Sequence, residues 1–276
     1  PSRGLGDVYK RQPLVCLTIC CLIILGGIGF IVTVDLYNWG RKRVRKEERR
    51  PHLTLHTRIV LVSTASLLVL GTVLTLGLEY DHTLKDLNFW EKLNASFFQS
   101  VTARTAGYAT IPQGELGDAT KLVTIILMFI GASPSSTGGG IKTTTFVVLV
   151  ATVVSISRGR DETVINKRRV DKSVVYRAMT IVAMAFLVIA ITSGVIMVTT
   201  PPEVSAIDAV YEAVSAFGTV GLTTGLTPDL SIVAKILVML TMFIGRVGPI
   251  SLVLALTMKH SGGPGKILPE GKVIVG

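Results

Sequence analysis

GASPSSTGGGIK, residues 131–142, decides how this chain is read. An apolar stretch, 122–130, broken only by Thr124, precedes it and an apolar run, 141–156, follows. Within 131–140, Gly131, Pro134, Gly138, Gly139 and Gly140 are helix breakers, and each glycine alone costs about 1 kcal/mol relative to alanine in a helix. The segment 122–156 is therefore a hydrophobic span interrupted near its middle. Irregular backbone at bilayer depth survives only where protein or a water-filled cavity satisfies its polar groups. The interruption thus predicts a loop lining an aqueous path inside a membrane protein.

Composition agrees. The 276 residues are 49% hydrophobic and only 17% charged, with a mean hydropathy of +0.58. Soluble domains carry about 25% charged residues. Spanning a hydrocarbon core about 30 Å thick takes roughly 20 apolar residues, and 14–34, 59–78, 178–198 and 232–258 qualify. The net charge of +10 sits mostly in two segments. Residues 41–58 hold Arg41, Lys42, Arg43, Arg45, Lys46, Arg49, Arg50 and Arg58; residues 158–177 are comparably basic. Residues 199–230 contain no Lys or Arg but carry Glu203, Asp208, Glu212 and Asp229. The positive-inside rule places the basic loops, 41–58 and 158–177, and the tail, 259–276, in the cytoplasm of a multi-pass protein. Basic charge so distributed needs no nucleic acid as partner. Residues 1–12 resemble the translation of a sequencing-library adapter and are assigned to no element; on that reading the chain is the C-terminal part of a longer protein.

The chain repeats itself at an offset of 114 residues. Thr105-Ala106-Gly107 aligns with Thr219-Val220-Gly221, Phe97 with Tyr211, and Asn94 with Asp208. Met128-Phe129-Ile130-Gly131 aligns with Met242-Phe243-Ile244-Gly245, identical at all four positions. Gly26-Gly27-Ile28-Gly29-Phe30 is a weaker third echo. Short amphipathic stretches, 93–102 and 207–216, precede each Thr-x-Gly string and are too short to cross. Each unit, 59–157 and 178–258, reads as membrane helix, half-helix, irregular stretch and membrane helix. The span in 13–40 reads as the last helix of a preceding unit.

A cation crossing selectively must exchange its water for other oxygens, and backbone carbonyls can supply them when the chain runs past an axis. Glycine tolerates the unusual φ/ψ such a stretch needs. Thr219, Val220, Gly221 and Leu222 resemble the potassium-channel filter string with its second glycine lost, and Thr105, Ala106, Gly107 and Tyr108 form a more degenerate version. The half-helices ahead of them would aim their carbonyl ends at the pore. The bland alternative is two Gly-containing turns in outer loops.

SVTARTAGYAT (100–110), the string 131–146, SAFGTVGLTTGLT (215–227) and the terminal PEGKVIVG (269–276) resemble the Trk/Ktr/HKT superfamily of potassium transporters, nearest to the ion-conducting subunits of bacterial Ktr systems. The resemblance implies an all-α membrane protein with four membrane helix–pore helix–filter loop–membrane helix units around a pseudo-fourfold pore. It implies K+ uptake across the bacterial plasma membrane, often with Na+ stimulation, by a homodimer on a cytoplasmic ring of nucleotide-binding regulatory subunits, without a cofactor. Gly107 and Gly221 match the family's filter glycines. Gly131, Ser133, Pro134, Ser135, Ser136, Thr137, Gly138, Gly139 and Gly140 match its intramembrane gate loop, and Arg246 the arginine near that loop.

Arg246 lies mid-span, where insertion costs about 2.5–3.5 kcal/mol, so it should face a cavity or a partner. Lys142 is suited either to neutralising loop carbonyls or to snorkelling. The loop serines raise an intramembrane serine protease as an alternative, but His52, His56, His82 and His260 fall in loops or the tail, away from any serine they would activate. No spacing of His, Cys, Asp and Glu fits a metal site. A non-conducting scaffold would need neither the repeated strings nor a broken helix. Asn94 reads as the cap of the first half-helix.

Overall fold

The computed structural model describes residues 12–45, 52–160, 162–166, 168–200 and 204–248. These are mainly α-helical. Helices α1 (Pro13–Ile28) and α2 (Phe30–Val44) meet at a bend of 97°. Then come α3 (Leu55–Glu79), the short α4 (Phe89–Thr102), α5 (Asp118–Phe129) and α6 (Thr143–Ser157). A two-strand hairpin, β1 (Val164–Ile165) and β2 (Arg168–Arg169), leads to α7 (Lys172–Thr199), the short α8 (Ala206–Gly218) and α9 (Ile232–Val247). Among the described residues, α3 and α7 are long and apolar enough to cross a membrane, and the bent α1–α2 pair makes a third if it counts as one span. Their outward faces carry exposed Val69, Leu70, Val73, Phe186, Leu187 and Ile191, as lipid-facing surfaces should.

Two units of one design emerge. In the first, α3 runs through, α4 stops inside the bundle, and α5 and α6 flank the interruption. In the second, α7, α8 and α9 repeat the plan. The part of the predicted span 232–258 beyond Gly248 lies outside the described residues, as do residues 1–11 and the tail, 259–276.

Three boundaries differ from the sequence reading. The single span expected over 14–34 is two helices. Gly29 takes φ +93, and the Phe30 N–H donates to the Ser135 carbonyl (3.0 Å) instead of continuing α1. A Cβ on Gly29 would stand 2.4 Å from the Pro134 carbonyl oxygen, so the bend is made by the loop 131–140 pressing on a glycine. The basic loop 41–58 is shorter than expected, because α2 runs to Val44 and α3 starts at Leu55. Asn94 is not a cap. Helix α4 begins at Phe89, and the Glu91 carboxylate accepts the Asn88 N–H (3.0 Å) in a capping box.

The half-helices are held from several sides. Ser100 Oγ donates to the Leu68 carbonyl (3.0 Å), bringing α4 onto α3 at Gly71. Tyr211 of α8 donates to Gln113 Oε1 (2.8 Å), which also accepts from Gln99 of α4 (2.7 Å). This buried chain ties the two units together. So does the ion pair between Lys121 of α5 and Asp208 of α8 (2.8 Å), whose side chains are 7% and 21% exposed. Removing one member of a buried pair leaves an uncompensated charge and costs about 3–5 kcal/mol. Lys121→Met should accordingly lower the midpoint of thermal unfolding in detergent by an amount equivalent to about 3 kcal/mol. Combined with Asp208→Leu it should cost less than the sum of the two single changes.

Candidate functional site

Each half-helix ends in a strained turn. Thr105 has φ +67 and Thr219 φ +51, and both are β-branched residues in a region such residues avoid. They occupy the same position of the repeat. Gly107 (φ +78) and Gly221 (φ +89) follow two residues later in each string. Strain recurring at matched positions is held by its surroundings, a pattern concentrated at functional sites. Hydroxyls from the last turn of each half-helix pin the strings: Thr102 Oγ1 donates to the Tyr108 carbonyl and Ser215 Oγ to the Leu222 carbonyl, both at 2.6 Å. The Val220 carbonyl oxygen faces the other string, and a Cβ on Gly107 would stand 2.2 Å from it. The fold therefore brings the two strings, 114 residues apart in sequence, into contact.

The loop 131–140 lies against both. Ile130 and Ile141 form a parallel bridge that closes its neck, and the Thr143 N–H donates to the Ala132 carbonyl (3.3 Å). Ser133 Oγ and Thr143 Oγ1 share a hydrogen bond of 3.2 Å, with both side chains fully buried. That hydrogen bond gives Ser133 a packing role. The triple glycine is the contact surface: a Cβ on Gly138 would lie 2.4 Å from Thr105 Oγ1, and one on Gly139 2.3 Å from Thr219 Oγ1. One on Gly140 would lie 3.3 Å from Gly218 Cα. Any side chain at 138 or 139 would collide with the string beside it.

Backbone groups of two other helices also hold the loop. The Ser133 and Thr137 N–H groups donate to Gly27 and Gly26 of α1 (3.1 and 3.5 Å). The Gly140 N–H donates to Gly245 of α9 (3.3 Å). Thus the three echoes seen in sequence, at Gly26, Gly131 and Gly245, converge on one loop. Cationic side chains take its carbonyls. Lys142 Nζ donates to Gly138 O (2.6 Å), Arg246 Nη1 donates to Thr137 O, and Arg104 Nη2 reaches Gly131 O (3.4 Å). Lys142 and Arg246 were anticipated from sequence. Arg104 was not; its only signal was an arginine abutting the Thr-x-Gly string. Pro134, Ser135 and Ser136 form the tip toward Gly29, with Ser135 at φ +58.

Half-helices that stop inside a bundle, with a polar loop filling the space between them, suit a membrane transport protein. Comparison with known proteins agrees. The chain belongs to the TrkH family of cation transport proteins, whose model matches residues 7–263. It is 37% identical over 270 residues to the Ktr system potassium uptake protein B of Bacillus subtilis, covering 97% of this chain and 58% of that protein. It is 38% identical over 279 residues to the potassium/sodium uptake protein NtpJ of Enterococcus hirae, covering 99% and 60%. The chain thus spans about three fifths of the length of these relatives. The potassium transporter TrkH of Vibrio parahaemolyticus shares the fold, with a TM-score of 0.67 and 18% identity over 90% of this chain and 53% of that one.

Proposed function

We propose that this chain is part of a subunit that takes up K+ across a bacterial plasma membrane. In this reading Thr105, Ala106, Gly107 and Tyr108, with Thr219, Val220, Gly221 and Leu222, supply two of four strands of a selectivity filter. The relative named for potassium and sodium uptake supports Na+ as a second ion for the same path. The loop Gly131, Ser133, Pro134, Ser135, Ser136, Thr137, Gly138, Gly139 and Gly140 is its gate, latched by Lys142 and Arg246. The observation that carries this reading is the seating of Gly138 and Gly139 against Thr105 and Thr219. A loop placed there blocks passage below both strings, and its removal opens a path. A glycine-rich segment held by a few hydrogen bonds can move between two arrangements. The guanidinium of Arg246 adds positive charge on the cytoplasmic side of the strings, raising the barrier to a cation while the loop is shut.

The test uses the full-length subunit in vesicles. Deleting 133–138, or Arg246→Gln, should raise K+ flux at least fivefold at equal expression. Flux no faster than the parent's in both folded variants refutes the gate. The subunit is further proposed to work as a homodimer on a nucleotide-binding regulatory ring, the tail 269–276 docking between protomers. Truncating the tail should then yield monomer by mass measurement in detergent.

A further inference from the structure

Arg104 is 7% exposed, and among the described residues no carboxylate lies within ion-pair distance of it. Its Nε–H is buried without a partner. Its one hydrogen bond, Nη2 to the Gly131 carbonyl, falls on the first residue of the loop. A buried charge held so sparingly is costly, so its position calls for an explanation.

The internal repeat sharpens the point. The residue equivalent to Arg104 in the second unit is Gly218, and a Cβ there would already stand 2.8 Å from the Met128 carbonyl oxygen. A long side chain fits in one unit and has no room in the other. The unit that carries the arginine is the one whose membrane helix is interrupted. Because α5 ends at Phe129, the Gly131 carbonyl has lost the donor that a continuing helix would bring, and Arg104 supplies one. The next residue, Thr105, is strained at φ +67 and packs against Gly138 at the other end of the loop. The filter string and the loop are therefore joined twice, once through the Arg104 guanidinium and once through Thr105.

We propose that Arg104 is a positioning residue that couples the filter string to the gate loop, through its hydrogen bond to Gly131 O. When the loop withdraws, Gly131 O leaves the guanidinium, and the string carrying Thr105 and Gly107 loses a tether. Ion preference then depends on the state of the gate. The idea rests on the proposed function, since it takes 131–140 as the gate and 105–108 as part of the filter.

The experiment is a cycle in the full-length subunit in vesicles, combining Arg104→Gln and Arg104→Lys with deletion of 133–138. KM and maximal rate are measured for K+ and for Na+. With the loop intact, Arg104→Gln should raise the maximal K+ rate about threefold or more and reduce the ratio of Na+ to K+ KM by a similar factor. Arg104→Lys, which keeps a donor and a charge, should restore most of both. In the deleted background neither substitution should change either quantity. Equal effects in both backgrounds, or none in either, overturn the coupling. If Arg104→Gln does not assemble, Arg104→Met, which keeps the length but lacks the donor and the charge, is measured in both backgrounds and decides by the same rule, a change present with the loop and absent without it supporting the coupling. If the deletion and Arg246→Gln both leave flux unchanged, the gate alone is refuted, because the dependence of the Arg104 effect on the loop is read separately from the KM ratio.

Discussion

Replacing Gly107 by alanine should abolish K+ uptake, with a loss of at least tenfold, while Gly221→Ser leaves an active but less selective subunit. Both glycines have positive φ, so any side chain there carries backbone strain of about 1–3 kcal/mol. The difference lies in what the added carbon meets. At Gly107 it would stand 2.2 Å from the Val220 carbonyl oxygen, a backbone atom of the opposing string that cannot turn away. At Gly221 the nearest atom is Gly107 Cα at 3.9 Å, which is ordinary contact. The first substitution must push the two strings apart; the second only strains one of them. Uptake of K+ and Na+ by both variants at matched expression reads the contrast. Equal loss in both, or a greater loss at Gly221, would mean that the strings do not meet as described.

The second large effect is expected at Gly245. A Cβ there would lie 1.8 Å from the Phe217 carbonyl oxygen and 3.1 Å from Phe217 Cα. Helices α8 and α9 cross at backbone contact, and Gly245→Ala forces them apart next to the carbonyl that receives the Gly140 N–H. The resulting overpacking costs about 1–3 kcal/mol and occasionally more. Most of the protein should be lost from the folded peak in detergent chromatography. Gly194 is the control, since nothing lies within 4 Å of its Cβ direction near the C-terminal end of α7. Gly194→Ala should be neutral or stabilise by up to about 1 kcal/mol. If Gly245→Ala behaves like Gly194→Ala, the close crossing is wrong.

The repeat made much of this architecture legible before any coordinates. Two Thr-x-Gly strings and two Met-Phe-Ile-Gly strings in one register announced two copies of a unit, and GASPSSTGGG announced an interrupted span. Local signals could not announce contacts whose partners lie far along the chain. The bend at Gly29 is made by Pro134 and Ser135, about a hundred residues later, and 26–30 reads in isolation as one more apolar helix with glycines. Arg104 reads as a charge at the end of an outer half-helix until the fold brings Gly131 to it. Asn94 was mistaken for a cap because the apolar residues Phe89 and Trp90 already belong to the helix, which the capping box at Asn88 starts earlier.

The hydrogen bonds that seat the loop join backbone groups made at different times. Gly26 and Gly27 are synthesised about a hundred residues before it, and Gly245 is synthesised 114 residues after Gly131. At about 5–20 residues per second, that last acceptor leaves the ribosome roughly 6–23 s after the loop begins. Through this interval the nascent segment has its upstream anchors but lacks Gly245 and Arg246, and the second half-helix, Ala206–Gly218, arrives only in about the last third of it. The seating of the loop is therefore completed only by the last helix, and a ribosome halted before residue 245 leaves a polar loop in the bilayer with one of its sides undocked.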